Sequence, residues 1–124
     1  MLSHLFHHPS PSLQDLLSPN GHARERGLRQ LTHWRKPPDL ASLRAVLLRL
    51  NDWVPQVRAA AEDTLQAWWP NLSPTAMLAC MDTLEAVARG QRADQRLLKR
   101  LRDRVRAADD PGALKRLQGL VLGR

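Results

Sequence analysis

Val57-Arg58-Ala59-Ala60-Ala61-Glu62-Asp63-Thr64-Leu65, with Trp68 just beyond it, is the stretch from which the fold can be read. It has a counterpart in Ala23-Arg24-Glu25-Arg26-Gly27-Leu28-Arg29-Gln30-Leu31, with Trp34 beyond, at a constant offset of 34 residues (23 to 57). Arg24 matches Arg58, the small Gly27 matches Ala61, Leu31 matches Leu65, and Trp34 matches Trp68. Four matches at one offset mark an internal repeat, and a period of roughly 20–50 residues belongs to stacked architectures. In the later copy, Val57, Ala61, Leu65 and Trp68 fall on one face of a helix. Gly27 and Ala59-Ala60-Ala61 are small enough to let neighbouring helices approach closely.

The segments on either side also read as helices. Pro37-Pro38-Asp39 is a breaker followed by a cap, after which Leu40, Leu43, Val46, Leu47 and Leu50 share a face. Asn51-Asp52 then caps the helix of the repeat copy, with Pro55 in its first turn. Two helices joined by so few residues make a hairpin. A third hairpin opens at Ser73-Pro74 and places Met77, Met81, Leu84 and Ala88 on one stripe. Gly90 breaks the chain, and Leu97, Leu98, Leu101, Val105 and Ala108 form the next seam. Asp110-Pro111 starts a last helix with Leu114, Leu117 and Val121, and a short first helix surrounds Leu13, Leu16 and Leu17. A hairpin of this length cannot bury its apolar side alone, so neighbours must stack. The expectation is an all-α chain of about three and a half stacked antiparallel hairpins over residues 11–124. Residues 1–10 are expected to be a poorly ordered or capping segment.

Asn51-Asp52-Trp53-Val54-Pro55-Gln56-Val57-Arg58-Ala59-Ala60-Ala61 resembles the HEAT-repeat family. The resemblance lies in an Asp at the hairpin turn, then Val-Arg, an Ala three residues on and a Leu four further. In the first unit Asn20 stands near the place of the Asp and Ala23 in that of the Val. In the third, the same offset puts Gln91-Arg92, Gln95 and Lys99 where Val-Arg, Ala and Leu belong, so the resemblance covers roughly half the chain. It implies a right-handed α-solenoid that binds other macromolecules, with Asp52 and Arg58 interacting along the stack. Arg24, Gly27, Leu31, Asp52, Val57, Arg58, Ala61 and Leu65 are then the structural motif residues.

Composition agrees with a helical protein. Among 124 residues the hydrophobic fraction is 43% and the charged fraction 25%, Tyr is absent, and Phe6 is the single Phe. Cys80 is the only cysteine, so an internal disulfide and a multi-cysteine metal site are excluded. Its apolar helical setting reads as a buried structural thiol. No apolar run approaches the ~20 residues that cross a bilayer, and the start lacks the pattern of a secretory signal. No membrane association and a cytoplasmic location are the corresponding expectations.

Charge is the feature closest to function. From Arg89 to Arg106 eight basic residues face only Asp94 and Asp103, a surplus of six against a formal net charge of +7. At about 100° per residue, Arg92, Arg96, Lys99, Arg100 and Arg106 cluster opposite the Leu97/Leu98/Leu101/Val105 seam. Such a row is either a solvated outer face that meets an acidic protein or a surface that tracks phosphates.

His4, His7 and His8 lie together, with His22 and His33 further on, but no carboxylate or thiol joins the group, and no metal or other cofactor is expected. No phosphate loop, nucleophile elbow or paired carboxylates stand out, so no enzyme is expected. Of the tryptophans, Trp53 lies in a turn and Trp69 points about 100° away from Trp68. Each either packs between hairpins or serves as an interface aromatic. The leading functional expectation is a scaffold that offers a curved helical surface to a protein partner. The alternative is a nucleic-acid-binding module using helix 89–106. The apolar end, Leu117 to Arg124, invites a homodimer or a continuation of the stack.

Overall fold

The computed structural model describes residues 11–33 and 38–109. The expectations for 1–10, for Trp34 and for the helix bearing Leu114, Leu117 and Val121 lie outside the described residues. The described residues form helices and no strands: α1 (Pro11–Leu16), α2 (Gly21–Leu31), α3 (Leu40–Arg49), α4 (Pro55–Trp68), α5 (Pro74–Ala79), α6 (Met81–Gly90) and α7 (Gln95–Asp109). A 3-10 turn, Trp69–Asn71, prolongs α4.

Start signals in the sequence act as caps. The side chains of Asn20, Asp39 and Ser73 accept from the backbone N–H groups of His22, Ser42 and Ala76, relieving donors that the first turn leaves unpaired. α4 begins differently. Its cap residue is Val54, which has no side-chain acceptor, and Pro55 takes the first helical position. Asp52 Oδ1 instead accepts from Val54 N at 2.9 Å, and Asn51 turns away to accept from Arg92 N at 3.1 Å. The expectation that Asn51-Asp52 caps α4 directly is corrected in that respect.

Helices touch in two patterns. Consecutive ones pair, α1 with α2, α3 with α4, and α5 and α6 with α7. Across pairs, α1 meets α3, α3 meets α6, and α2 meets α4. The two copies of the quoted stretch therefore occupy the second helices of adjacent pairs and lie against each other. Gly27, Leu31, Ala61 and Leu65 are all buried. Polar links fix the register of α2 on α4. Thr64 Oγ1 donates to Leu28 O at 3.1 Å, Trp68 Nε1 donates to Leu31 O at 3.0 Å, and Arg29 pairs with Asp63 at 2.7 Å. One apolar cluster runs from Leu16 through Leu43, Val57, Leu65 and Met77 to Val105, so the pairs share a core.

The third pair departs from the expected stripe. Its first helix is interrupted at Cys80 (φ −105°, ψ 16°), and its buried positions are Met77, Cys80, Leu84 and Val87. Met81 is 41% exposed and Ala88 only partly covered, so the stripe 77/81/84/88 is corrected by a small rotation. Cys80 is fully buried, as its setting implied. Gly90 does not end the helix through its own backbone freedom. It is the last residue of α6, and Gln91 takes the left-handed conformation (φ 67°). A Cβ on Gly90 would lie 1.8 Å from Asn51 Nδ2, so glycine is there for close approach to the Asn51 turn.

Candidate functional site

Among the described residues, the turn 50–54 gathers a dense polar cluster. Asp52 is 5% exposed and Arg24, from the preceding pair, is 3% exposed. Burying two charges is costly unless every polar atom finds a partner. Here Arg24 grips the carboxylate with two donors, Nε at 2.8 Å and Nη2 at 3.1 Å, and gives Nη1 to Ser18 O at 2.9 Å. Arg49 adds a third contact to the carboxylate at 3.1 Å. Burial alone would raise the Asp52 carboxyl, but the hydrogen bonds from Arg24 and Val54 N–H, with the charges of Arg24 and Arg49, hold it below its ordinary value.

This geometry revises the motif assignment. Arg58 does not meet the Asp52 side chain; its Nη1 donates to the Asp52 carbonyl oxygen at 2.8 Å. The carboxylate instead belongs to Arg24, which stands at the position of Arg58 one unit earlier. The link along the chain of helices is therefore Arg24 to Asp52, between neighbouring units, and Arg58 ties the turn within its own unit.

Arg49 is the unbalanced member. It lies on the last turn of α3, where nothing in the local sequence sets it apart. Its Nε is hidden and lacks a hydrogen-bond partner. Burial and the neighbouring Arg24 charge lower its pKa, against the opposing pull of Asp52. Two guanidinium groups thus share one carboxylate. Around them opens a cleft of about 510 Å³, lined by Pro19, Arg24, Leu48, Arg49, Asn51, Asp52, Trp53, Ala86, Val87 and Arg92. Trp53 is 69% exposed and also lines a second cleft with Pro19, His22, Val54 and Gln56. Trp53 is thus an exposed aromatic between two hollows, the surface reading of the two open for it.

Trp69 has the other fate. It is half-buried, and the guanidinium carbons of Arg100 and Arg104 lie 4.3 and 4.1 Å from its ring centroid. Arg104 also donates to Trp69 O at 2.9 Å and to Leu72 O, and so covers carbonyls at the end of α4, whose last turn has no basic residue of its own. Burial and the charge of Arg100 lower its pKa.

The basic row on α7 is exposed as the periodicity implied. Arg92, Arg96, Lys99, Arg100 and Arg106 are all on the surface, opposite the buried Leu97, Leu98, Leu101 and Val105. Three of the five are engaged: Lys99 with Asp103 at 3.1 Å, Arg106 with Asp103 at 3.9 Å, and Arg100 with Trp69. The structure separates Arg92 from the rest of the row. It precedes α7 and lines the Asp52 cleft. Among the described residues, no group of three or more His, Cys, Asp or Glu is placed to hold a metal ion. No described helix is long and apolar enough to cross a membrane. No protein-family model, curated protein or solved structure matches this chain.

Proposed function

We propose that this chain is a non-catalytic HEAT-like module, a right-handed α-solenoid of helical hairpins that presents its turn edge to a protein partner. What carries the reading is Trp53: a large aromatic, 69% exposed, on a turn whose backbone Asp52 fixes from both sides. Exposed tryptophan on rigid backbone has the character of an interface anchor, because it brings large apolar area with little rotamer entropy to lose. The lone carboxylate of the adjacent cleft, Asp52, is committed to Arg24, Arg49 and Val54 N–H, an arrangement suited to holding the turn and not to moving protons. Contacts of α2 with α4, and of α1 with α3 and α3 with α6, support stacking in one direction.

A second reading is nucleic-acid binding through helix 89–106, favoured by the surface positions of Arg96, Lys99, Arg100 and Arg106. The contacts of Lys99 and Arg106 to Asp103 hold them only weakly, since exposed ion pairs are worth about 0–1 kcal/mol. Two measurements separate the readings. Affinity capture from the native lysate, with the R96E/K99E/R100E protein as control, should retain a protein through a surface that includes Trp53. Titration against generic duplex DNA or RNA should show no affinity that falls steeply with salt; a slope set by several phosphate contacts would transfer the function to α7.

A further inference from the structure

The cleft beside Trp53 carries more positive charge than the fold uses. Arg24 and Asp52 cancel as a closed pair, each almost wholly buried. Arg49 leans on a carboxylate that is already neutralised, and Arg92 joins the lining with a surface-exposed side chain. The cleft therefore holds two cations in excess, next to the exposed apolar surface of Leu48 (41%) and Trp53 and the buried Val87. Its volume of about 510 Å³ suits a few side chains and not a nucleic acid duplex. Each feature favours one part of a ligand. The arginines attract carboxylates, which they bind through planar two-donor forks. The Leu48 and Trp53 surfaces favour an apolar side chain between those carboxylates.

We propose that this cleft is a docking site for a short acidic-apolar peptide segment of a partner protein, with Arg49 and Arg92 as its carboxylate clamps and Trp53 as its apolar anchor. The assignment rests on the protein-interaction reading and specifies the chemistry of the partner. It also gives Arg92 a role distinct from the row on α7, because Arg92 alone of the five cations lines this cleft. The charge surplus explains the direction of recognition. A bound carboxylate compensates Arg49, whose charge the neighbouring Arg24 opposes and Asp52 only partly satisfies.

The test uses fluorescence anisotropy at low salt with three labelled probes of equal length. One alternates Glu with Leu or Phe, one alternates Glu with Gly, and one is a single-stranded oligonucleotide. The full chain should bind the first probe at least tenfold more tightly than the other two. Trp53→Ala and Arg92→Glu should each weaken that binding at least tenfold. Both are surface changes, so unaltered thermal unfolding shows that the fold is kept. Lys99→Glu, outside the cleft, should change it less than twofold. Binding of the first probe that ignores Trp53→Ala and Arg92→Glu overturns the assignment, as does absence of binding at low salt. An oligonucleotide that binds more tightly, with the same dependence on Trp53 and Arg92, overturns it in favour of a nucleotide site. A lysate partner whose capture depends on Trp53 but not on Arg92 would sink the cleft assignment and leave the interaction module standing.

Discussion

Replacing Asp52 by Asn tests the link between the first two helical pairs with almost no change of shape. The carboxylate accepts from Arg24 twice, from Arg49 and from Val54 N–H. An amide in its place sets an NH2 group against one of these donors and leaves Arg24, 3% exposed, without a counter-charge. Breaking a buried pair from one side costs about 3–5 kcal/mol. A domain of this size has on the order of 5–15 kcal/mol in all. With a urea dependence of roughly 1–3 kcal/mol per molar, a loss of 3 kcal/mol moves the unfolding midpoint down by about 1–3 M. Helix ellipticity against urea reads it directly. Arg24→Leu/Asp52→Leu should recover much of the loss, because a buried pair exchanged for apolar residues is often neutral. Acid supplies a second reading. The folded Asp52 lies below its ordinary 3.8, so its contribution is present above that value and drains away as pH falls through the lower folded value. Asp52→Asn removes that part of the acid sensitivity. A midpoint shift of only a few tenths of a molar, or an unchanged acid profile, would refute the claim that the Arg24–Asp52 link holds the pairs together.

Gln91→Gly should raise stability by about 1 kcal/mol in the same urea assay, since Gln91 sits at φ 67° where a Cβ is unfavourable. Gly90→Ala should lower it by about 1–3 kcal/mol, through collision with Asn51 and loss of its bond to Arg92 N, and Asn51→Ala should rescue part of that. Ala61→Arg, which forces a charge into a fully buried position on α4, should abolish the cooperative thermal transition. Cys80 should react with a thiol reagent only at the rate of unfolding; the side chain is buried and burial raises its pKa, against a smaller pull from Arg44.

Much of the fold was legible because it follows period and punctuation. The copies at 23–31 and 57–65 fall on contacting second helices, and the caps Asp39 and Ser73 mark true helix starts. What went unread depends on tertiary approach. Nothing local distinguishes Gly90 as a close-contact glycine from Gly90 as a helix terminator; the distinction lies in Asn51, 39 residues earlier (90 less 51). The 34-residue offset also fails in the third pair. There the buried Leu97, Leu101 and Val105 stand 40 residues beyond Val57, Ala61 and Leu65 (97 less 57), because α5 and α6 together are longer than α3, which holds the corresponding place. Among candidate site residues, the exposure of the row on α7 followed from position, whereas position alone left Trp53 open between packing and exposure. Arg49 was not legible, because its meaning comes from Arg24 reaching Asp52 first.

On the proposed reading, that competition for Asp52 also accounts for placing recognition at the turn edge and not on a helix face. Each pair spends its apolar side on its neighbours, and the shared core leaves few large apolar groups outside. Within the turn, position 52 is fixed by Arg24 and position 54 by its N–H bond to Asp52, so both are committed to the fold. Position 53 lies between two anchored residues and owes nothing to either contact. A tryptophan there gains little from the fold and leaves apolar surface in water. On that reading the backbone fixed at 52 and 54 suits Trp53 to act as an anchor, because a turn already held in place loses little freedom when a partner covers it.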